Sequence, residues 1–120
     1  MVKVAVINPG SKVVEVSSVE PTLENFKPLV GGWLEMLYLA GDLRAYINEE
    51  GKGLGLPRNS VGDTYVRASL ARIGHTLLPG DYIVGPVVLL GAPDDEGIET
   101  DVPDDVLAEL REAGLEVREA

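Results

Sequence analysis

Residues 32 to 48, Gly32-Trp33-Leu34-Glu35-Met36-Leu37-Tyr38-Leu39-Ala40-Gly41-Asp42-Leu43-Arg44-Ala45-Tyr46-Ile47-Asn48, hold two β-rich runs around a short turn. Such a pattern is the signature of a β-hairpin, and it makes an antiparallel sheet the organising element of the fold. A two-residue loop at either Ala40-Gly41 or Gly41-Asp42 pairs odd with even positions, so both choices give the same two faces. One face is then Leu34, Met36, Tyr38, Ala40, Leu43, Ala45 and Ile47, which reads as the core face. The other is Trp33, Glu35, Leu37, Leu39, Arg44, Tyr46 and Asn48, a mixture of apolar bulk with an acid, a base, a phenol and an amide.

Toward the N-terminus, Val2, Val4 and Val6 alternate with Lys3, Ala5 and Ile7. The turn Asn8-Pro9-Gly10-Ser11 follows, and Lys12 to Ser17 resumes β-rich residues, so the spacing predicts a second hairpin. Leu23, Phe26 and Val30 fall on one side of a short helix that Pro28 or Gly31 would end. This N-terminus reaches Asn8-Pro9-Gly10 too soon for the apolar region of a signal peptide.

Toward the C-terminus, Glu49-Glu50-Gly51-Lys52-Gly53 is a glycine-rich turn and Leu54 to Asn59 an extended link fixed by Pro57. Ser60 and Asp63 have capping-box spacing ahead of a helix with the stripe Val66, Leu70, Ile73 and Leu77. After Pro79-Gly80-Asp81, a strand from Tyr82 to Leu90 carries Gly85 and Pro86. Proline gives the ladder no donor, so this strand is expected at an edge or with a bulge. Gly91 to Thr100 is a polar loop. Pro103 opens a last helix with Val106, Leu107, Leu110 and Ala113 inward, Gly114 ends it, and Leu115-Glu116-Val117 reads as a short final strand. The expected fold is α+β: one domain over residues 1–120, a mainly antiparallel sheet of about five strands with two or three helices, and the hairpin of residues 32–48 near its centre.

Composition excludes several function classes. The chain of 120 residues has no cysteine and a single histidine, His75, so disulfides, thiolate chemistry and zinc clusters are ruled out. His75 follows Gly74 at a helix end, where a cation suits the helix dipole. No Gly-x-Ser-x-Gly elbow surrounds any serine, and Asp94-Asp95-Glu96-Gly97 lacks the alternation of a calcium loop. The longest apolar run, Ile83 to Leu90, is far short of the ~20 residues of a membrane helix. The net charge of −10 divides unevenly: residues 94–120 carry −9 and residues 1–93 only −1. Without clustered Lys and Arg, general nucleic-acid binding is not expected. The acidic quarter reads as a solvated face, with imitation of a phosphate backbone as the alternative.

Two constellations could carry a function. The first is the turn at Asn48 and Glu49 with Lys52, Arg58 and Asn59, where free backbone N–H groups and cations could cradle an anion. Plain turn chemistry explains the same residues, and the spacing is not that of a P-loop. The second is the hairpin face, where Glu35 would lie near Arg44, Tyr46 and Asn48. There it would form a cross-strand ion pair or have its pKa raised as a general base, while Trp33 and Tyr46 offer stacking surface. No metal or cofactor is expected.

The stretches Leu29-Val30-Gly31-Gly32-Trp33-Leu34-Glu35, Asn48-Glu49-Glu50-Gly51-Lys52, Gly55-Leu56-Pro57-Arg58-Asn59 and Gly80-Asp81-Tyr82-Ile83-Val84-Gly85 resemble a family of small bacteriophage, plasmid and mobile-element proteins known as domain of unknown function 3846. The resemblance runs from about Val2 to Gly91 and leaves the acidic tail largely outside. It implies an accessory protein acting in the host-cell cytoplasm, with no catalytic residues to transfer. The leading expectation is a non-enzymatic binding module, in all expectation a homo-oligomer, for a host or defence-system protein or a small phosphorylated ligand such as a nucleotide. The rivals are a hydrolase or transferase with Glu35 or Glu49 as base, and an acidic decoy acting through residues 94–120.

Overall fold

A computed structural model describes residues 1–120. β1 (Val2–Ile7) and β2 (Val13–Val19) form the first hairpin, Val2 opposite Val19 and Ile7 opposite Val14. Then come α1 (Leu23–Val30), the hairpin of β3 (Leu34–Tyr38) and β4 (Leu43–Asn48), and α2 (Ser60–Arg72). β5 (Val87–Gly91), α3 (Asp104–Glu112) and β6 (Glu116–Glu119) complete the chain. The six strands make one mixed sheet in the order β3-β4-β5-β1-β2-β6, antiparallel throughout except for the parallel pair β2 and β6. The α+β class and the mainly antiparallel sheet agree with the sequence, with one strand more than expected.

The centre of the sheet is β5 and β1, and β3 lies at an edge, so the hairpin of residues 32–48 is not central. The reason is legible afterwards in the apolar runs. Every residue of β5 is buried, and β1 is buried except at Lys3, the pattern of strands covered on both faces. The expected edge or bulge at Pro86 is avoided because β5 begins at Val87, one residue past the proline, and its ladder donors are intact. Gly85, at φ +73°, turns the chain into the strand.

The hairpin register also differs from the sequence reading. Tyr38 pairs with Arg44, and Leu39 N–H donates to Leu43 O at 3.1 Å, which leaves the three residues Ala40, Gly41 and Asp42 in the loop. The added loop residue slips one strand by one position relative to the other and inverts its faces. Leu34, Met36 and Tyr38 therefore share a face with Arg44, Tyr46 and Asn48, while Glu35, Leu37 and Leu39 join Leu43, Ala45 and Ile47.

Each sheet face is packed. On one, Val2, Val4, Val6, Tyr46, Val88 and Leu90 meet Phe26 and Val30 of α1. On the other, Ala5, Ile7, Val14, Ala45, Val87 and Leu89 meet Val66 of α2 and Val106, Leu107 and Leu110 of α3. α1 is capped by Thr22, continues through Pro28 and stops at Gly31, whose φ of +81° only glycine adopts readily. α2 ends at Arg72, earlier than its apolar stripe suggests, so Ile73 is exposed and Leu77 reaches the core from a loop.

The acidic quarter is part of this architecture. Val102 N–H donates to Lys3 O, α3 fills the core, and β6 extends the sheet. Several of its acids are engaged as well, Glu109 with Arg72, Glu119 with Lys3 and Glu99 with the Tyr46 hydroxyl.

Candidate functional site

The nine residues singled out from the sequence do not form one face. Trp33 is 56% exposed beside α1, with Lys27 Nζ 3.8 Å above its ring. Arg44 lies over the Tyr38 ring at 4.5 Å and donates through Nη1 to Leu43 O at 2.9 Å. Tyr46 is buried against Phe26, and its hydroxyl donates to Glu99 Oε2 at 2.8 Å. Burial, and then the Glu99 carboxylate, push this phenol above its ordinary pKa. Glu35 sits on the opposite face of the hairpin, exposed and opposite Ile47, so the expected pairing with Arg44, Tyr46 and Asn48 is lost to the register change.

The amides of both asparagines are engaged by backbone groups. Asn48 is buried where β4 ends. Its Nδ2 donates to Val30 O at 3.1 Å, closing the C-terminus of α1, and its Oδ1 accepts from Glu50 N–H at 2.8 Å. Asn59 is 1% exposed. Its Oδ1 accepts from Gly62 N–H at 2.9 Å, and its Nδ2 donates to Ile7 O at 2.8 Å and to Gly85 O at 2.9 Å. One amide therefore caps α2, anchors the end of β1 and fixes the turn into β5. The cap falls on Asn59 and not on the expected Ser60, and the Asp63 carboxylate accepts instead from Ile83 N–H at 2.9 Å and from Arg67 Nε.

What remains of the cation-rich turn does converge. Lys52 and Arg58 both lie over the ring of Tyr82, Lys52 Nζ at 4.7 Å and the Arg58 guanidinium at 3.8 Å from its centroid. Lys52 is also paired with Asp81. Arg67, bound to Asp63, reaches Asp81 O at 2.6 Å through Nη2. Tyr82 and Asp81 separate two adjoining depressions. The larger, of about 510 Å³, lies at the start of α2 between Arg58, Ser60, Thr64, Arg67 and the loop from Leu77 to Ile83. The smaller, of about 160 Å³, is bordered by Glu35, Glu49, Glu50, Lys52 and Tyr82.

Three cations and two acids thus gather around one phenol, and of the three cations only Arg58 has no carboxylate partner. Cations stacked on an aromatic face keep their N–H edges free for an anion. The Asp63 carboxyl is pushed up by burial, but hydrogen bonds from Arg67 and the Ile83 N–H outweigh this and hold it below its ordinary value. It is accordingly a fixed anion that orients Arg67.

Asp63, Arg67, Asp81 and Tyr82 were not among the candidates read from the sequence. In the sequence Asp63 shows as a capping-box residue and as the i, i+4 neighbour of Arg67, and Asp81-Tyr82 as a turn and strand start in a stretch that carries the family resemblance, none of which marks a shared site. Glu35 and Glu49 border the smaller depression as exposed carboxylates. No group of His, Asp and Glu side chains is placed to hold a metal ion, and no helix is long and apolar enough to cross a membrane.

No curated protein and no solved structure matches the chain. The family match does not stop at Gly91, as the resemblance suggested, but runs through α3, consistent with the contribution of that helix to the core. The model of the family described as Domain of unknown function (DUF3846) matches residues 2–114, and the chain belongs to that family.

Proposed function

We propose that this protein is a non-enzymatic binding module, an accessory protein of a phage or other mobile element acting in the host cytoplasm, which takes a small phosphorylated ligand in the larger depression beside Tyr82. The observation that carries this reading is Arg58. Its guanidinium lies 3.8 Å from the Tyr82 ring centroid without a carboxylate partner, at the mouth of a depression that also receives Arg67 and the start of α2. A planar guanidinium held on an aromatic face suits the oxygens of a phosphate, and the first N–H groups of a helix favour the same charge. The paired acids Asp63 and Asp81 position the neighbouring cations, so a ligand meets a pre-formed arrangement.

A protein partner is the second reading, favoured by Leu78, which lines the larger depression and is 76% exposed, and by Leu54, which follows Gly53 of the smaller one in the chain and is 58% exposed. Calorimetric titration with ATP, ADP and pyrophosphate separates the two. Binding that weakens at least tenfold in Arg58→Ala, with an unchanged circular dichroism spectrum, supports the phosphorylated ligand. No heat with any of the three at millimolar concentration rejects it.

A further inference from the structure

The two edges of the sheet are built differently. β6 is four residues long, three of them charged (Glu116, Arg118 and Glu119), the usual protection against pairing with another chain. β3, Leu34-Glu35-Met36-Leu37-Tyr38, has one charge, no lysine and no proline, and its neighbour on one side only is β4. The phase of its hydrogen bonds is fixed at both ends. Glu49 N–H donates to Trp33 O at 2.9 Å, and Leu39 N–H donates to Leu43 O at 3.1 Å. Odd-numbered residues therefore face β4, and the N–H and C=O groups of Leu34, Met36 and Tyr38 point out of the edge.

We infer that β3 pairs antiparallel with β3 of a second copy of this chain, Met36 opposite Met36 and Leu34 opposite Tyr38, so that two six-stranded sheets become one. Only residues with outward groups can form the hydrogen-bonded pairs, which restricts the register to even-numbered partners. Pairing Leu34 with Met36 would set Glu35 directly against Glu35, where like charges repel. The register centred on Met36 places Glu35 against Leu37 and uses all three outward residues, each pair exchanging two hydrogen bonds. The same arrangement covers Tyr38, 66% exposed in the single chain, with the partner's Leu34. It also brings the second copy alongside the smaller depression, which Glu35 and Leu37 border. The pairing does not depend on the phosphorylated ligand, and neither experiment decides the other.

Sedimentation velocity over a micromolar concentration series tests it. A dimer is expected, with its dissociation constant weakened at least tenfold by Met36→Pro, which removes an N–H that β4 does not use. A monomer across the series, or a dimer that survives in folded Met36→Pro, overturns the inference. Should Met36→Pro unfold, cysteine cross-linking decides instead, since the chain has no cysteine of its own. Under mild oxidation Met36→Cys is expected to form disulfide-linked dimers faster than Tyr38→Cys, and equal or slower linking refutes the register.

Discussion

Asn59 is the residue on which the structure makes its sharpest demand. Replacing it with alanine removes three short hydrogen bonds at once, to Gly62 N–H, Ile7 O and Gly85 O, in a site that is 1% exposed to water. Loss of a helix cap costs about 1 kcal/mol, and each buried group left unpaired costs about 1–3 kcal/mol. The expected loss is about 3–5 kcal/mol, a large share of the roughly 5–15 kcal/mol that stabilises a domain. Asn59→Asp separates the network from the cap. Aspartate caps a helix as well as asparagine does, so a residue that only capped α2 would tolerate the change. Here the second carboxylate oxygen would take the place of an amide that donates to two carbonyls at 2.8 and 2.9 Å. The carboxyl must be protonated to donate, so its pKa in the folded variant rises above the ordinary ~3.9. The folded state then binds more protons than the unfolded state, and the stability of Asn59→Asp falls relative to wild type as pH rises through that window. Urea denaturation at pH 4 and pH 7 measures both effects. If Asn59→Asp stays within about 1 kcal/mol of wild type at pH 7, the network argument fails.

Three further outcomes are expected. Asp63, whose carboxyl is held below its ordinary value of 3.8, contributes stability that is present above the unfolded pKa and lost as pH falls through the folded one. Asp63→Asn should flatten the acid limb of a stability profile below about pH 4, and an unchanged limb would contradict the assignment. Truncation after Ala92 deletes the buried side chains of Val102, Val106, Leu107 and Leu110, worth about 1.5–3 kcal/mol each, and should abolish cooperative unfolding in calorimetry. A truncated chain that still melts cooperatively would show the acidic quarter to be an appendage after all. Tyr46→Phe should cost about 1 kcal/mol through the lost bond to Glu99, measured by urea denaturation, and a stabilised variant would refute the contribution of that bond.

The ligand reading rests on a site that the sequence showed only in pieces. Lys52, Arg58 and Asn59 were legible as a cation-bearing turn, because Gly, Asn and Lys in such a run offer donors and charge whatever the fold. What they converge upon was not legible. Tyr82 and Asp81 lie more than twenty residues further along the chain, and only the return of residues 77–83 past the start of α2 places that phenol under Arg58. Asn59 was legible as a donor but its partners were not: its amide serves Ile7 and Gly85, backbone partners that no local pattern marks.

By itself the sequence determined the element types, the α+β class, the absence of thiol chemistry and the turn points. These follow from local rules, since apolar periodicity, proline and glycine act on their own neighbourhood. Strand order and hairpin register were decided only by tertiary structure. A single residue more in the turn at Ala40-Gly41-Asp42 inverts which side chains share a face, and nothing local distinguishes a two-residue loop from the three-residue one in which Ala40 N–H is held by Ser69 Oγ from α2. Which strand is central likewise depends on which can be covered on both faces. β5 and β1 hold that place because α1 packs on one side of them and α2 and α3 on the other, and the last of those helices comes from the acidic quarter that composition alone set apart.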